Sequence, residues 1–141
     1  MDNELVVSNE EIKNLIYTIR GKQVMLDSDV AMLYHYETKK INQTVKRNIE
    51  RFPEKFCFQL TEEEFKSMWS QIVTASESIK KFRNKKFLPY AFTEQGIAML
   101  SGLLKNEIAV RVSISIMDAF IEMRIFINNN GQIFDRLTKL E

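Results

Sequence analysis

One cysteine, one histidine, two prolines and four glycines are all that 141 residues contain of these types, and each scarcity removes a class of protein. A lone thiol, Cys57, forms no internal disulfide, which fits a reducing cytoplasm. His35 and Cys57 are too few to build a His/Cys zinc cluster, and His35 alone limits any histidine-containing triad. Cys57 sits within the apolar run FCFQL, a setting for a core thiol rather than a nucleophile. No Gly-rich phosphate loop is present; RGKQ holds one glycine and reads as a turn. Neither enzymatic chemistry nor a cofactor or metal is therefore expected. No apolar run approaches the ~20 residues of a membrane span. The start MDNELVVSNEE is acidic and lacks a basic segment followed by an apolar core, so no secretory leader is expected. The expected location is cytoplasmic, without a membrane partner.

At 45% hydrophobic and 28% charged residues, the chain has the balance and length of one globular domain. Its net charge of +1 conceals a strong segregation. Residues 39–51 and 80–86 together hold ten Lys and Arg against Glu50 alone, a net of +9 over 20 positions. The other 121 positions carry a net of −8. Solubility alone favours mixed signs, so cations concentrated on an acidic body point to a polyanion-binding face.

The first basic segment belongs to a stretch that reads as two helices around a tight turn. Ser28 to Tyr34 forms the first helix, His35 and Tyr36 the turn, and Thr38 to Arg51 the second helix. Ile41, Val45 and Ile49 recur every four residues and share a buried face. Lys39, Gln43, Lys46, Arg47 and Glu50 fall opposite, with Lys40 and Arg51 beside them. Ala31 is small enough for the helices to cross closely above Ile41. A helix-turn-helix meets DNA with such a surface, because cations find phosphates while amides and Arg read base edges. An ordinary amphipathic helix with a solvated charged face would show the same pattern.

Elsewhere the signals are local. Ser8-Asn9-Glu10-Glu11 and Thr61-Glu62-Glu63-Glu64 have capping-box form and predict helix starts. The three glutamates suit a first helical turn, where carboxylates meet exposed amides and the dipole, better than acid catalysis. Leu15–Arg20 and Val24–Leu26 flank Gly21-Lys22, which predicts a hairpin with a type II′ turn. Asp27 or Ser28 is expected to cap the helix that follows. Phe56–Leu60 and Phe87–Phe92 predict short strands, the second placed at an edge by Pro89. Trp69 with Phe65, Met68 and Ile72 reads as helix packing. Residues 73–86 lose periodicity and form the longest loop, a candidate phosphate clamp. Thr93-Glu94-Gln95-Gly96 opens another helix, where Gly96 implies a close approach of backbone. Asn106 to about Ile127 is apolar around most of its circumference and is expected to be the central core helix, ended by Asn128–Gly131. Ile133, Phe134, Leu137 and Leu140 then begin a further apolar pattern. The expected fold class is α+β: a small helix-turn-helix domain with a short hairpin and strands and a long C-terminal core helix.

LIYTIRGKQVMLDSDVAMLY, ETKKINQTVKRNIERFPEKFCFQLTEEEF and FLPYAFTEQGIAML, in this order, strongly resemble the phage KilA-N-like superfamily, in the branch named for an "open reading frame six, N-terminal" domain. The resemblance spans about residues 10–127. It implies a small α+β DNA-binding domain of phages, prophages and bacterial genomes, associated with phage regulators and antirepressors. Such domains often precede a different C-terminal domain through a coiled coil. The chain departs from the family at His35, where members commonly carry a small residue, often Gly; His can adopt the positive-φ geometry at some cost.

The expected domain is residues 1–127, with 128–141 opening a helical extension through which copies could associate. The expected function is sequence-specific binding of double-stranded DNA. Thr38, Lys39, Asn42, Gln43, Lys46 and Arg47 would meet the groove, with Lys40, Arg51, Lys81, Arg83, Lys85 and Lys86 on phosphates. The alternative is an antirepressor-type module whose basic face meets a repressor protein instead of DNA. RNA binding is less favoured, since no exposed aromatic platform is evident.

Overall fold

A computed structural model of the chain describes residues 8–72 and 88–140, with side chains described for 8–69 and 88–129. The basic run 80–86, with Lys81, Arg83, Lys85 and Lys86, lies outside the described residues. The fold is α+β, with six α-helices and a four-stranded antiparallel sheet among the described residues. Helix α1 (Asn9–Lys13) begins as its capping box predicts, with Ser8 Oγ accepting from the Glu11 amide at 3.2 Å.

Strands β1 (Ile16–Ile19) and β2 (Lys22–Leu26) pair Ile19 with Lys22, so the loop residues are Arg20 and Gly21. Both have positive φ, 56° and 72°, which makes a type I′ turn in place of the expected type II′ turn at Gly21-Lys22. The twist of a type I′ turn matches that of the strands, and Arg20 offsets its backbone cost through its side chain. Its Nε donates to Glu64 at 2.6 Å and its guanidinium lies 4.1 Å from the Phe58 ring centroid.

The sheet order is β1-β2-β4-β3, formed with β3 (Cys57–Gln59) and β4 (Tyr90–Phe92). Alternation sends Ile16, Met25, Cys57 and Phe92 to one face and Ile19, Val24, Leu26, Phe58 and Ala91 to the other. The second face is covered by α4 (Glu62–Ile72) through Met68 and Phe65, whose ring meets that of Trp69. All the other helices lie on the first face. Helix α4 starts on a reciprocal cap: Thr61 N donates to Glu64 Oε1 at 2.8 Å and Glu64 N donates to Thr61 Oγ1 at 3.1 Å. Arg20 holds the Glu64 carboxyl down at about 2.

Strand β4 is interior, not the edge strand Pro89 suggested. Pro89 stands just before the strand and contributes only its carbonyl, which accepts from Leu60 N at 2.9 Å. Helix α5 (Glu94–Ser101) is capped by Thr93, whose hydroxyl accepts from Gly96 N and donates to the Lys55 carbonyl. Thr93 N also donates to the Phe56 carbonyl, so α5 is pinned to the segment entering β3. The close approach predicted at Gly96 is present: a Cβ there would overlap the Phe56 carbonyl oxygen.

Helix α6 (Ala109–Leu140) departs from expectation twice. It passes unbroken through Asn128–Gly131, since weak helix formers in a long helix cost only fractions of a kcal/mol each, about 1 for Gly. It is also one-sided rather than central. Ile116, Ala119 and Phe120 are fully buried, whereas Val110, Ile114 and Ile125 are exposed.

Gly96→Ala should destabilise the protein by about 2 kcal/mol or more, because the Phe56 backbone cannot yield as a flexible side chain can; urea melts read this, and a loss below about 0.5 kcal/mol would refute the close contact. His35, at φ 63° and ψ 41°, is the opposite case. His35→Gly should raise stability by about 0.5–1 kcal/mol in the same assay, by relieving left-handed strain.

Candidate nucleic-acid interface

Helices α2 (Asp27–Tyr34) and α3 (Thr38–Arg47) are joined by His35–Glu37, and their crossing is packed by Ala31 and Ile41 as expected. The turn closes on two bonds, His35 N to Met32 O at 3.2 Å and Tyr36 N to Ala31 O at 2.9 Å. With His35 left-handed, this is a Schellman motif. Behind the turn, Tyr34 and Ser113 hydroxyls lie 2.6 Å apart and Asn106 Nδ2 donates to the Tyr34 carbonyl at 2.8 Å. The end of α2 is thus fastened to α6 and the loop before it.

The predicted second helix is shorter than Thr38–Arg51. It ends at Arg47, where Asn48 leaves helical geometry at φ −128° and its Nδ2 donates to the Thr44 carbonyl. A short 3₁₀ turn over Ile49–Arg51 follows. Ile49 is consequently 61% exposed, not aligned with buried Ile41 and Val45.

On the outer side, Lys39, Lys40, Lys46 and Arg47 are exposed around half-buried Gln43, with Arg51 exposed on the following turn. Thr38 is half-buried at the helix start. Among the described residues none of these five cations makes an ion pair, in contrast to Lys13, Arg20 and Arg124. Lys81, Arg83, Lys85 and Lys86 lie outside the described residues, so α3 and the turn after it carry the described part of this basic surface.

Asn42 stands apart from the other expected contacts. It points inward, and its Nδ2 donates to Asp27 Oδ2 at 3.0 Å, while its Oδ1 is buried with no hydrogen-bond partner among the described residues. Asp27 does not cap α2 in the expected way; its carboxylate is buried and accepts from Ser28 N at 2.8 Å and Tyr90 N at 3.2 Å as well. This bracket joins α2, α3 and β4. Sequence reasoning missed it because the residues are far apart in the chain, and the only local hint was an aspartate directly after the apolar strand VML.

The match to the ORF6N domain family covers residues 14–103, which takes in the hairpin, the helix pair, the sheet and α5. The chain belongs to the ORF6N family. No curated protein and no solved structure matches it. The ORF6N match stops before α6, so the bracket at Asp27 lies inside the family region and the long helix outside it. No helix among the described residues is long and apolar enough to cross a membrane. Burial pushes the Cys57 thiol up to about 12, so at neutral pH it is a protonated core group.

Beside the bracket, burial and the neighbouring Asp27 push the Asp29 carboxyl from 3.8 up to about 6. A raised acid favours the folded state while protonated. Its contribution is therefore complete below about pH 4 and lost as pH rises through about 6. Asp29→Asn should thus stabilise by about 1–2 kcal/mol at pH 8 and by nearly nothing at pH 4; urea melts at both pH values decide this, and equal effects would contradict it.

Proposed function

We infer that this ORF6N domain is a phage-type regulatory module that binds double-stranded DNA sequence-specifically, with α3 in the major groove. The observation that carries the reading is the cationic face of α3 around Gln43, unpaired among the described residues, on a body that is otherwise acidic. An α-helix fits the major groove, and cations free of intramolecular partners exchange condensed counterions for phosphates. Gln43 and Arg47 are the base-edge readers, with Thr38, Lys39 and Lys46 beside them. Lys40 and Arg51 contact phosphates, as would Lys81, Arg83, Lys85 and Lys86. Asn42 positions α3 through Asp27 and does not read a base. Kinship with the wider KilA-N-like superfamily belongs to the same reading.

One observation favours the alternative of an antirepressor-type module that binds a repressor. With Asn42 turned inward, the outer face presents a single amide, which is a spare set for reading sequence yet ample for an acidic protein surface.

Selection from random duplex DNA at two salt concentrations separates these. On the selected site, Gln43→Ala should relax preference at one position by about 1–3 kcal/mol, while Lys40→Ala should weaken all sequences alike and reduce the salt slope by about one. Binding that shows neither sequence preference nor salt dependence would overturn the DNA reading. Capture of a repressor with no DNA shift would establish its rival.

A further inference from the structure

Helix α6 carries a second apolar stripe that the domain does not use. Val110, Ile114, Ile121 and Ile125 are 67%, 57%, 40% and 54% exposed. At about 100° per residue they fall within about 60° of one another, turned away from the buried row of Ile116 and Phe120. Half-buried Met117, which also packs against the core, borders the same sector, so 110, 114, 117 and 121 have the alternating four-three spacing of a coiled-coil seam.

The area and the charge around it point to one occupant. Together the four exposed side chains offer about 400 Å² of apolar surface, at the size where a patch on a monomer marks an interaction site. Apposed to itself, the stripe buries about 800 Å², the size of a weak, concentration-dependent interface. The flanks hold Arg111 and Asp118, with Arg124 and Glu122 already paired inside the chain to Glu94 and Lys13, so the border carries little net charge. Such a border selects no strongly charged partner and opposes no second copy, whereas the basic face of α3 would repel its own kind.

We propose that the protein pairs with a second copy of itself through this outer seam of α6. The pairing is isologous, each copy laying Val110 to Ile125 along the same stripe of the other. It does not depend on the DNA reading.

Sedimentation equilibrium of the full chain between about 1 and 100 μM tests this, with dimer expected at the upper end. Ile114→Glu combined with Ile121→Glu should weaken pairing by about 100-fold or more, leaving far-ultraviolet circular dichroism unchanged because both side chains are exposed in the single copy. Ile125→Lys repeats the test beyond the last fully buried turn of α6, should the double variant fold poorly. A wild-type chain that stays monomeric throughout, or a folded seam variant that pairs as tightly as wild type, overturns the proposal.

Discussion

The buried carboxylate of Asp27 is the constraint on which the placement of α3 depends. Removing a carboxylate from water is costly unless donors replace the lost hydration, and here Ser28 N, Asn42 Nδ2 and Tyr90 N do so. The three donors come from α2, α3 and β4. One charge therefore fixes both the angle of α3 and its distance from the sheet. The apolar contact of Ala31, Ile41 and Val45 holds the helices together but is non-directional. Desolvation still outweighs the donors, and the Asp27 pKa remains raised. The bracket is better understood as specifying geometry than as adding stability.

A second set of bonds completes the mounting from the opposite end of α2. Its carboxyl end is held by the Schellman closure at His35 and by Tyr34, whose hydroxyl meets Ser113 while Ser113 donates to Ser101 at 2.7 Å. Asn106 accounts for the last carbonyl of α2. With both ends of α2 fixed, α3 projects as a rigid element whose outer cations pair with no acid among the described residues. Three cations of the body are engaged: Lys13 with Glu10, Arg20 with Glu64 and Arg124 with Glu94 at 2.6–2.8 Å.

What was legible in the sequence was local. The caps at Ser8, Thr61 and Thr93, the turn at His35 and Tyr36, the glycine against backbone at 96 and the alternation of Cys57 against Phe58 all depend on residues within a turn or a pleat of one another. What was not legible required knowing a distant partner. That β4 is interior depends on its pairing with both β2 and β3. Arg20 adopts positive φ because Glu64, 44 residues on, receives its side chain. Asn42 turned inward because of Asp27, and no helical wheel distinguishes an amide facing solvent from one facing a buried acid. Helix α6 has a related explanation: two apolar stripes on one helix resemble an all-round core helix until only one of them finds helices, α1, α2 and α5, to pack against.

The loss of Asn42 from the outer face bears on how much sequence discrimination one copy could supply. If Gln43 and Arg47 each make a bidentate contact, at about 1–3 kcal/mol apiece, direct reading amounts to about 2–6 kcal/mol. Specific complexes exceed non-specific ones by about 4–10 kcal/mol, so a single α3 falls toward the low end. The basic cluster of residues 80–86 does not close that difference, because phosphate contacts add affinity without adding sequence information. Doubling the number of recognition helices does, since two half-sites multiply their preferences. The pairing proposed through the outer stripe of α6 would supply a physical means of doing so. The inward turn of one asparagine thus links the geometry of the α3 face to the state of association that reading DNA would require.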